Sequence, residues 1–333
     1  MSRALRVGVA GATGALGKEV VAVLDAAPWR PEAVVPFAGP ASTVPFVEYG
    51  GSQVAVDDLA QADLAGLDLL IVALPRALAP EVIARAVRDG TRVVDLSGSQ
   101  LEALDVPLVA PWLGLDALGE ARARDVVAVP SGPGLLLATV LRPLVDAGWD
   151  EELEAQVLVP ASTFGRDAVE ELSRQVVALF NAAPPPRKQF PHGLAFDLLP
   201  LVGELGATGW TSEEVRVVAE LGRLLGVRVD VSLVAAPVFS GLSATVRAYV
   251  PDDVAVEGVV HALTEAGLEV ATHGDLRRLP RPRRVEGSPW PQVARVRRGA
   301  GAVHLWASMD NLRAVAAAAV GVAAALLGEV EEA

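Results

Sequence analysis

The stretch Gly8-Val9-Ala10-Gly11-Ala12-Thr13-Gly14-Ala15-Leu16-Gly17 narrows what this chain can become more than any other. An apolar run from Leu5 to Ala10 enters it, and Leu16, Val20, Val23 and Leu24 leave it at the i, i+4, i+7, i+8 spacing of an amphipathic helix. A strand, a G-x-x-G-x-x-G turn and a helix therefore follow one another directly. In that setting the glycines permit a tight turn and close backbone approach. The free N–H groups and positive dipole end of the helix attract a pyrophosphate. Gly11, Ala12, Thr13, Gly14, Ala15, Leu16 and Gly17 are accordingly the expected dinucleotide-binding residues, with NADP or NAD as the cofactor.

Short apolar runs recur at Ala33–Phe37, Leu69–Ala73 and Arg92–Leu96, and a helix-like stretch from Pro80 to Arg88 separates the last two. Alternating strand and helix signals predict a Rossmann-type, doubly wound parallel α/β sheet. After about residue 131 the pattern changes. Longer strands are expected at Glu152–Val159, Val227–Val238, Ala244–Val250 and Ala302–Ala307, with helices at roughly 166–181, 211–225 and 254–266. This second half reads as α+β. The expected organisation is a dinucleotide-binding domain over 1–131, a second domain over 132–310, and a C-terminal helix over 311–333 that returns to the first. The Pro- and Arg-rich 180s and 280s read as mobile loops.

Composition excludes several classes of function. With 52% hydrophobic and 21% charged residues the chain can bury a sizeable core, yet apolar runs break before the roughly 18 residues a membrane span requires. No secretory signal precedes the first strand, and a cytoplasmic location is expected. A formal charge of −13 opposes nucleic-acid binding, which rests on Lys and Arg neutralising phosphates. His192, His261, His273 and His304 lack metal-ligand spacing, so no metal site is expected. The chain has no cysteine, and hence no thiolate. The segment Pro36 to Ser42, where an acid would hold a ribose hydroxyl or an Arg a 2′-phosphate, carries neither charge. Weak preference between NAD and NADP is the expectation.

Further motifs carry a family resemblance. Val93-Val94-Asp95-Leu96-Ser97-Gly98-Ser99, Ala195-Phe196-Asp197-Leu198-Leu199-Pro200, Gly209-Trp210-Thr211-Ser212-Glu213-Glu214, Pro237-Val238-Phe239-Ser240-Gly241-Leu242-Ser243 and Asp310-Asn311-Leu312-Arg313 occur in order over nearly the whole chain. In these the chain resembles the aspartate-semialdehyde dehydrogenases, and most of all their catalytically silent Usg-type paralogues. The resemblance implies a cofactor domain, a substrate and dimerisation domain, and Asn311 as a further cofactor-binding residue. It also implies a cysteine that attacks the aldehyde, a histidine that moves the proton, and hydride transfer to NADP before phosphate releases an acyl phosphate.

This sequence departs from that pattern at the reacting positions. Alignment on Val129-Pro130-Ser131-Gly132-Pro133-Gly134 puts Gly132 where the cysteine stands, and Leu242 takes the place of the histidine. Ala235 and Leu101 fall at the substrate-binding and phosphate-binding arginines, and Val315 at a glycine. Ser131 has no histidine nearby in sequence to activate it. The expected function is therefore a non-catalytic NAD(P)-fold binding or regulatory protein acting as a homodimer. The alternative is an oxidoreductase that uses NAD(P) on an aldehyde or oxo group without covalent catalysis.

Overall fold

The computed structural model describes residues 5–40, 42–113, 119, 123–271 and 276–329; Ala41 and His273 lie outside the described residues. The chain divides into two compact units, one formed by 1–131 with 315–333 and the other by 132–314.

In the first unit the chain order is β1 (Arg6–Ala10), α1 (Ala15–Ala26), β2 (Ala33–Ala38), the antiparallel hairpin β3 (Phe46–Tyr49) and β4 (Ser52–Ala55), β5 (Asp57–Asp58), β6 (Leu69–Val72), α2 (Ala79–Arg88), β7 (Arg92–Asp95) and β8 (Val126–Ala128). Six strands form one sheet in the order β5-β2-β1-β6-β7-β8, and every pairing in it is parallel. The order runs outward in both directions from β1, the doubly wound arrangement expected from alternating strands and helices. β6 is buried at all four positions, as a strand covered on both faces must be. Helix α2 starts with proline and Glu81 and ends with Arg85 and Arg88, which suits its dipole. Its buried Ala79, Ile83 and Ala86 join the core around Leu64, Leu70 and Val93.

The second unit carries α3 (Gly132–Asp146), β9 (Leu153–Val159), α4 (Arg166–Phe180), α5 (Ser212–Leu225), β10 (Asp230–Ala235), β11 (Leu242–Ala248), α6 (Val256–Glu265), β12 (Glu269–Ala271), α7 (Pro282–Val285), β13 (Gln292–Gly299) and β14 (Ala302–Met309). α8 (Asn311–Leu327) begins here, and from Val315 its residues count with the first unit. The second sheet has the order β10-β9-β11-β14-β13-β12 and is mixed, parallel at both ends and antiparallel between. Its architecture is the α+β domain expected from the sequence.

Helix α5 opens on a capping box. Thr211 Oγ1 accepts from Glu214 N at 3.2 Å, and Glu214 Oε2 accepts from Thr211 N at 2.9 Å. The other oxygen of Glu214 accepts from Leu233 N of β10 at 3.0 Å, so the cap also fixes the helix to the sheet.

Several expectations need correction. The strand read as Val227–Val238 is confined to Asp230–Ala235, because the chain is still recovering from the left-handed Gly226 cap of α5. The 180s are no free loop. Glu171 on α4, almost fully buried, accepts from the N–H groups of Lys188, Gln189 and Phe190 at 2.8–2.9 Å. Gln175, one turn on, accepts from Leu194 and Ala195. Strand β13 was missed because its basic residues hide the alternation, and a register shift between Ala294 and Arg297 interrupts it.

The glycine turn generates a stability test. A Cβ at position 17 would lie 2.1 Å from the Gly11 carbonyl oxygen, whereas one at position 14 would meet nothing nearer than that oxygen at 3.3 Å. Gly17→Ala is expected to cost about 1–3 kcal/mol, and Gly14→Ala less than about 1 kcal/mol, in chemical denaturation. Equal effects would mean that the approach of α1 to the turn does not hold the glycine in place.

Candidate functional site

The turn after β1 is shaped by contacts that glycine alone permits. Gly11 has φ +86°, and a Cβ there would fall 2.4 Å from Ala73 O. Gly11 N and Ala12 N both donate to Phe37 O, at 2.9 and 3.1 Å, fastening the turn to β2. Two of its N–H groups are thus consumed by the fold. The amides of Thr13, Ala15, Leu16 and Gly17 have no hydrogen-bond partner among the described residues. Helix α1 has no side-chain cap and no acid in its first turn. Open N–H groups and an uncapped positive helix end fit an anionic diphosphate.

Beside this turn, at the carboxyl end of β2, lies a cavity of about 290 Å³. Ser42, on its wall, donates from Oγ to Thr13 Oγ1 at 3.0 Å and accepts from Val44 N at 3.3 Å. Asp57 and Asp58 also line it, because β5 pairs with the last residues of β2, Phe37 opposite Asp57 and Ala38 opposite Asp58. The sequence directly after β2, Pro36 to Ser42, carries no charge of its own. The missing signal was the hairpin Phe46–Ala55, which turns the chain back so that Asp57 and Asp58 reach the position the β2 loop leaves uncharged.

In the second unit, Gly132 is the first residue of α3. A Cβ there would stand 3.2 Å from Leu242 Cδ1 and 3.4 Å from Asn311 Cβ. Gly132, Leu242 and Asn311, distant in sequence, therefore meet. A thiolate at such a place would gain from the helix dipole, but glycine provides no side chain and Leu242, fully buried, no proton. Asn311 is buried and saturated by its own unit. Its Oδ1 accepts from Gly241 N at 3.0 Å, and its Nδ2 donates to Ser162 Oγ at 3.0 Å. This amide serves as a tie between loops. Neighbouring Asp310 takes Leu312 N and Arg313 N on one oxygen, starting α8, and Gly287 N on the other at 2.8 Å.

The remaining positions are buried as well as apolar. Ala235 is fully buried at the end of β10, Leu101 is buried in the loop after β7, and Val315 is buried in α8. Among the described residues no group of three or more His, Asp or Glu stands close enough to hold a metal ion, and no helix is long and apolar enough to cross a membrane.

Comparison with known proteins matches both units. Residues 6–121 match the family described as semialdehyde dehydrogenase, NAD binding domain, and residues 141–314 the one described as semialdehyde dehydrogenase, dimerisation domain. A USG-1 protein homolog of Pseudomonas aeruginosa is 32% identical over 99% of this chain and 98% of its own length. An aspartate-semialdehyde dehydrogenase of Rickettsia conorii is 26% identical over 95% and 96%. Among solved structures, aspartate semialdehyde dehydrogenase II of Vibrio cholerae, complexed with ASA, superposes with a TM-score of 0.92 at 25% identity over 98% of this chain and 99% of that one. A probable aspartate-semialdehyde dehydrogenase from Pseudomonas aeruginosa gives 0.89 at 30% identity, over 98% of each chain. The chain belongs to the semialdehyde dehydrogenase family.

Proposed function

We propose that this protein is a non-catalytic member of its family, a dinucleotide-fold binding or regulatory protein that acts as a homodimer. The observation that carries this reading is the meeting of Gly132 with Leu242 in a chain that has no cysteine. Covalent aldehyde chemistry needs a nucleophile and a group that moves its proton. At the two positions where the family resemblance puts them, this chain has a glycine and a leucine, so close that a Cβ at 132 would stand 3.2 Å from Leu242 Cδ1. Alignment slippage at one position would not make both fall together in space. The open amides of the glycine turn support retained binding of NAD or NADP.

Purified protein is expected to give no change in nicotinamide absorbance with aspartate semialdehyde, phosphate and NADP. Gly132→Cys alone should remain silent as well, because Leu242 transfers no proton and the anion-binding positions stay apolar. Turnover that persists through further purification and is abolished by substitution of a residue in the glycine turn would overturn the reading. It would favour non-covalent oxidoreduction, for which the open turn is the supporting observation.

The dimer surface is assigned to the segment that joins α4 to α5. Phe180, Phe196, Leu198 and Leu205 are all more than half exposed, and Trp210 and Val215 flank α5's start with further exposed apolar area. The rings of Phe180 and Phe196 meet edge to face at 5.9 Å, and Phe196 is held at φ +64°. For a bulky residue this backbone state is unfavourable and needs a compensating role. The strands of the second unit are less open: β10 simply alternates, and β14 is buried or half-buried at every position. Light scattering at micromolar concentration is expected to give twice the 34.5 kDa chain mass, and Phe180→Glu with Phe196→Glu to give a folded monomer. A wild-type monomer, or a double variant that stays dimeric, would remove this assignment.

A further inference from the structure

Between Arg277 and Arg298 the charge of the chain reverses. Eight of its 28 Lys and Arg residues fall there, against one of its 41 acids, Glu286. Strand β13 presents two of these arginines through a bulge. Ala294 pairs with Trp306 and Arg297 with His304; positions 304 and 306 share one face of β14, so Ala294 and Arg297 share that face although three residues apart. The extra residue keeps Val296 in the core and leaves Arg295 exposed at φ +56°, a left-handed backbone that is unfavourable for arginine. The 280s, whose composition reads as mobile, carry Arg281 and Arg283 over the same face on a pinned backbone. Trp306 Nε1 donates to Pro280 O at 2.8 Å, and Gly287 N donates to Asp310 Oδ2 at 2.8 Å. Between them the chain passes so near Gly241 that a Cβ there would stand 2.8 Å from Pro282 Cα. Arg281 thus follows the residue bonded to Trp306, and Arg295 follows the residue paired with it.

The eight arginines differ in what they do. Arg298 donates to the carbonyls of Val250, Pro251 and Val254, Arg284 approaches Glu269 at 3.8 Å, and Arg277 and Arg278 are engaged. Arg281, Arg283, Arg295 and Arg297 are exposed and have no carboxylate partner among the described residues. We infer that these four form a docking surface for a short acidic segment of a partner protein. Guanidinium groups bind carboxylates through paired N–H donors, and a pinned backbone leaves less to be ordered on binding. Like charges gathered on one face repel one another, and a run of Asp or Glu side chains relieves that repulsion. The acidity of the rest of the protein limits the partner's size. A nucleic-acid duplex or an anionic membrane would extend past the patch and meet that acidic surface, whereas a segment of a few residues need not. The surface uses none of the residues assigned to the dimer.

Fluorescence anisotropy of labelled hexaglutamate against the full chain tests this. Binding is expected at about 0.05 M salt and should weaken about tenfold by about 0.5 M, as screening shortens the reach of the charges. Arg281→Gln with Arg283→Gln, and Arg295→Gly with Arg297→Gln, should each weaken it about fivefold or more, whereas Arg88→Gln with Arg228→Gln, an equal loss of charge on other exposed surface, should leave it within about twofold. Arg295→Gly alone separates docking from a structural role. Glycine accepts the left-handed backbone, so the thermal midpoint should hold or rise while the affinity falls. Four results would each overturn the inference: no binding at millimolar peptide, an equal loss in the Arg88 and Arg228 variant, tighter binding of an oligothymidylate of equal charge or of phosphatidylserine vesicles, or loss of the homodimer in the patch variants, which would make a second copy the occupant.

Discussion

In the first unit the backbone of Gly17 passes so near the carbonyl of Gly11 that even one added carbon would sit 2.1 Å from the oxygen. This contact brings the first turn of α1 onto the loop that β1 delivers. Phe37 O then receives both Gly11 N and Ala12 N, which sets the end of β2 against the turn, while Ala73 O closes it from the side of β6. One consequence is that glycines at 11 and 17 are required by packing whether or not a nucleotide ever binds. Retention of the motif is therefore weak evidence for a cofactor; the amides left without partners, and the helix end left without a cap, are stronger.

Position 132 lies at a second convergence of distant segments. The beginning of α3, the buried side chain at 242 and the Asn311 amide still converge, and the convergence is stabilised by Asn311 bonding Ser162 and Gly241. What fills the space is an apolar side chain against a glycine. A buried imidazole would need hydrogen-bond partners to offset its desolvation, roughly 1–3 kcal/mol for each group left unmade; Leu242 makes no such demand.

How much of this was legible in the sequence depends on the range of the interaction. The glycine turn, the helix from Pro80 and the helix from residue 211 are local, and each was read within a residue or two. Gly132 and Leu242 were matched to the family pattern by likeness alone; in the structure a Cβ at 132 would stand 3.2 Å from Leu242 Cδ1. Longer-range pairings left no local trace. Asp57 and Asp58 reach the cavity only because an intervening hairpin reverses the chain, and nothing in Pro36 to Ser42 announces them. Helix α3 is buried along nearly its whole length, so it shows no polar face whose period would reveal it. The assignment of Asn311 to cofactor binding came from resemblance, and the structure adds a tie that the motif could not disclose.

The pinning of the 180s was hidden for a related reason. Pro184, Pro185 and Pro186 carry no N–H, so this segment cannot knit itself into a strand or helix, and its composition reads as mobile. Yet that deficit leaves its backbone dependent on donors further on, at Lys188, Gln189 and Phe190, and all three converge on one carboxylate. Burying Glu171 without partners would cost several kcal/mol; three charge-assisted bonds from amides, with Gln175 a fourth donor at 3.1 Å, offset that cost and turn it into positional order. Phe190 then packs edge-on against Phe164 at 5.3 Å, and the chain emerges at Phe196 with its ring outward. A buried polar clamp thus determines where an exposed aromatic is presented. The segment's order comes from groups on α4, not from its own sequence.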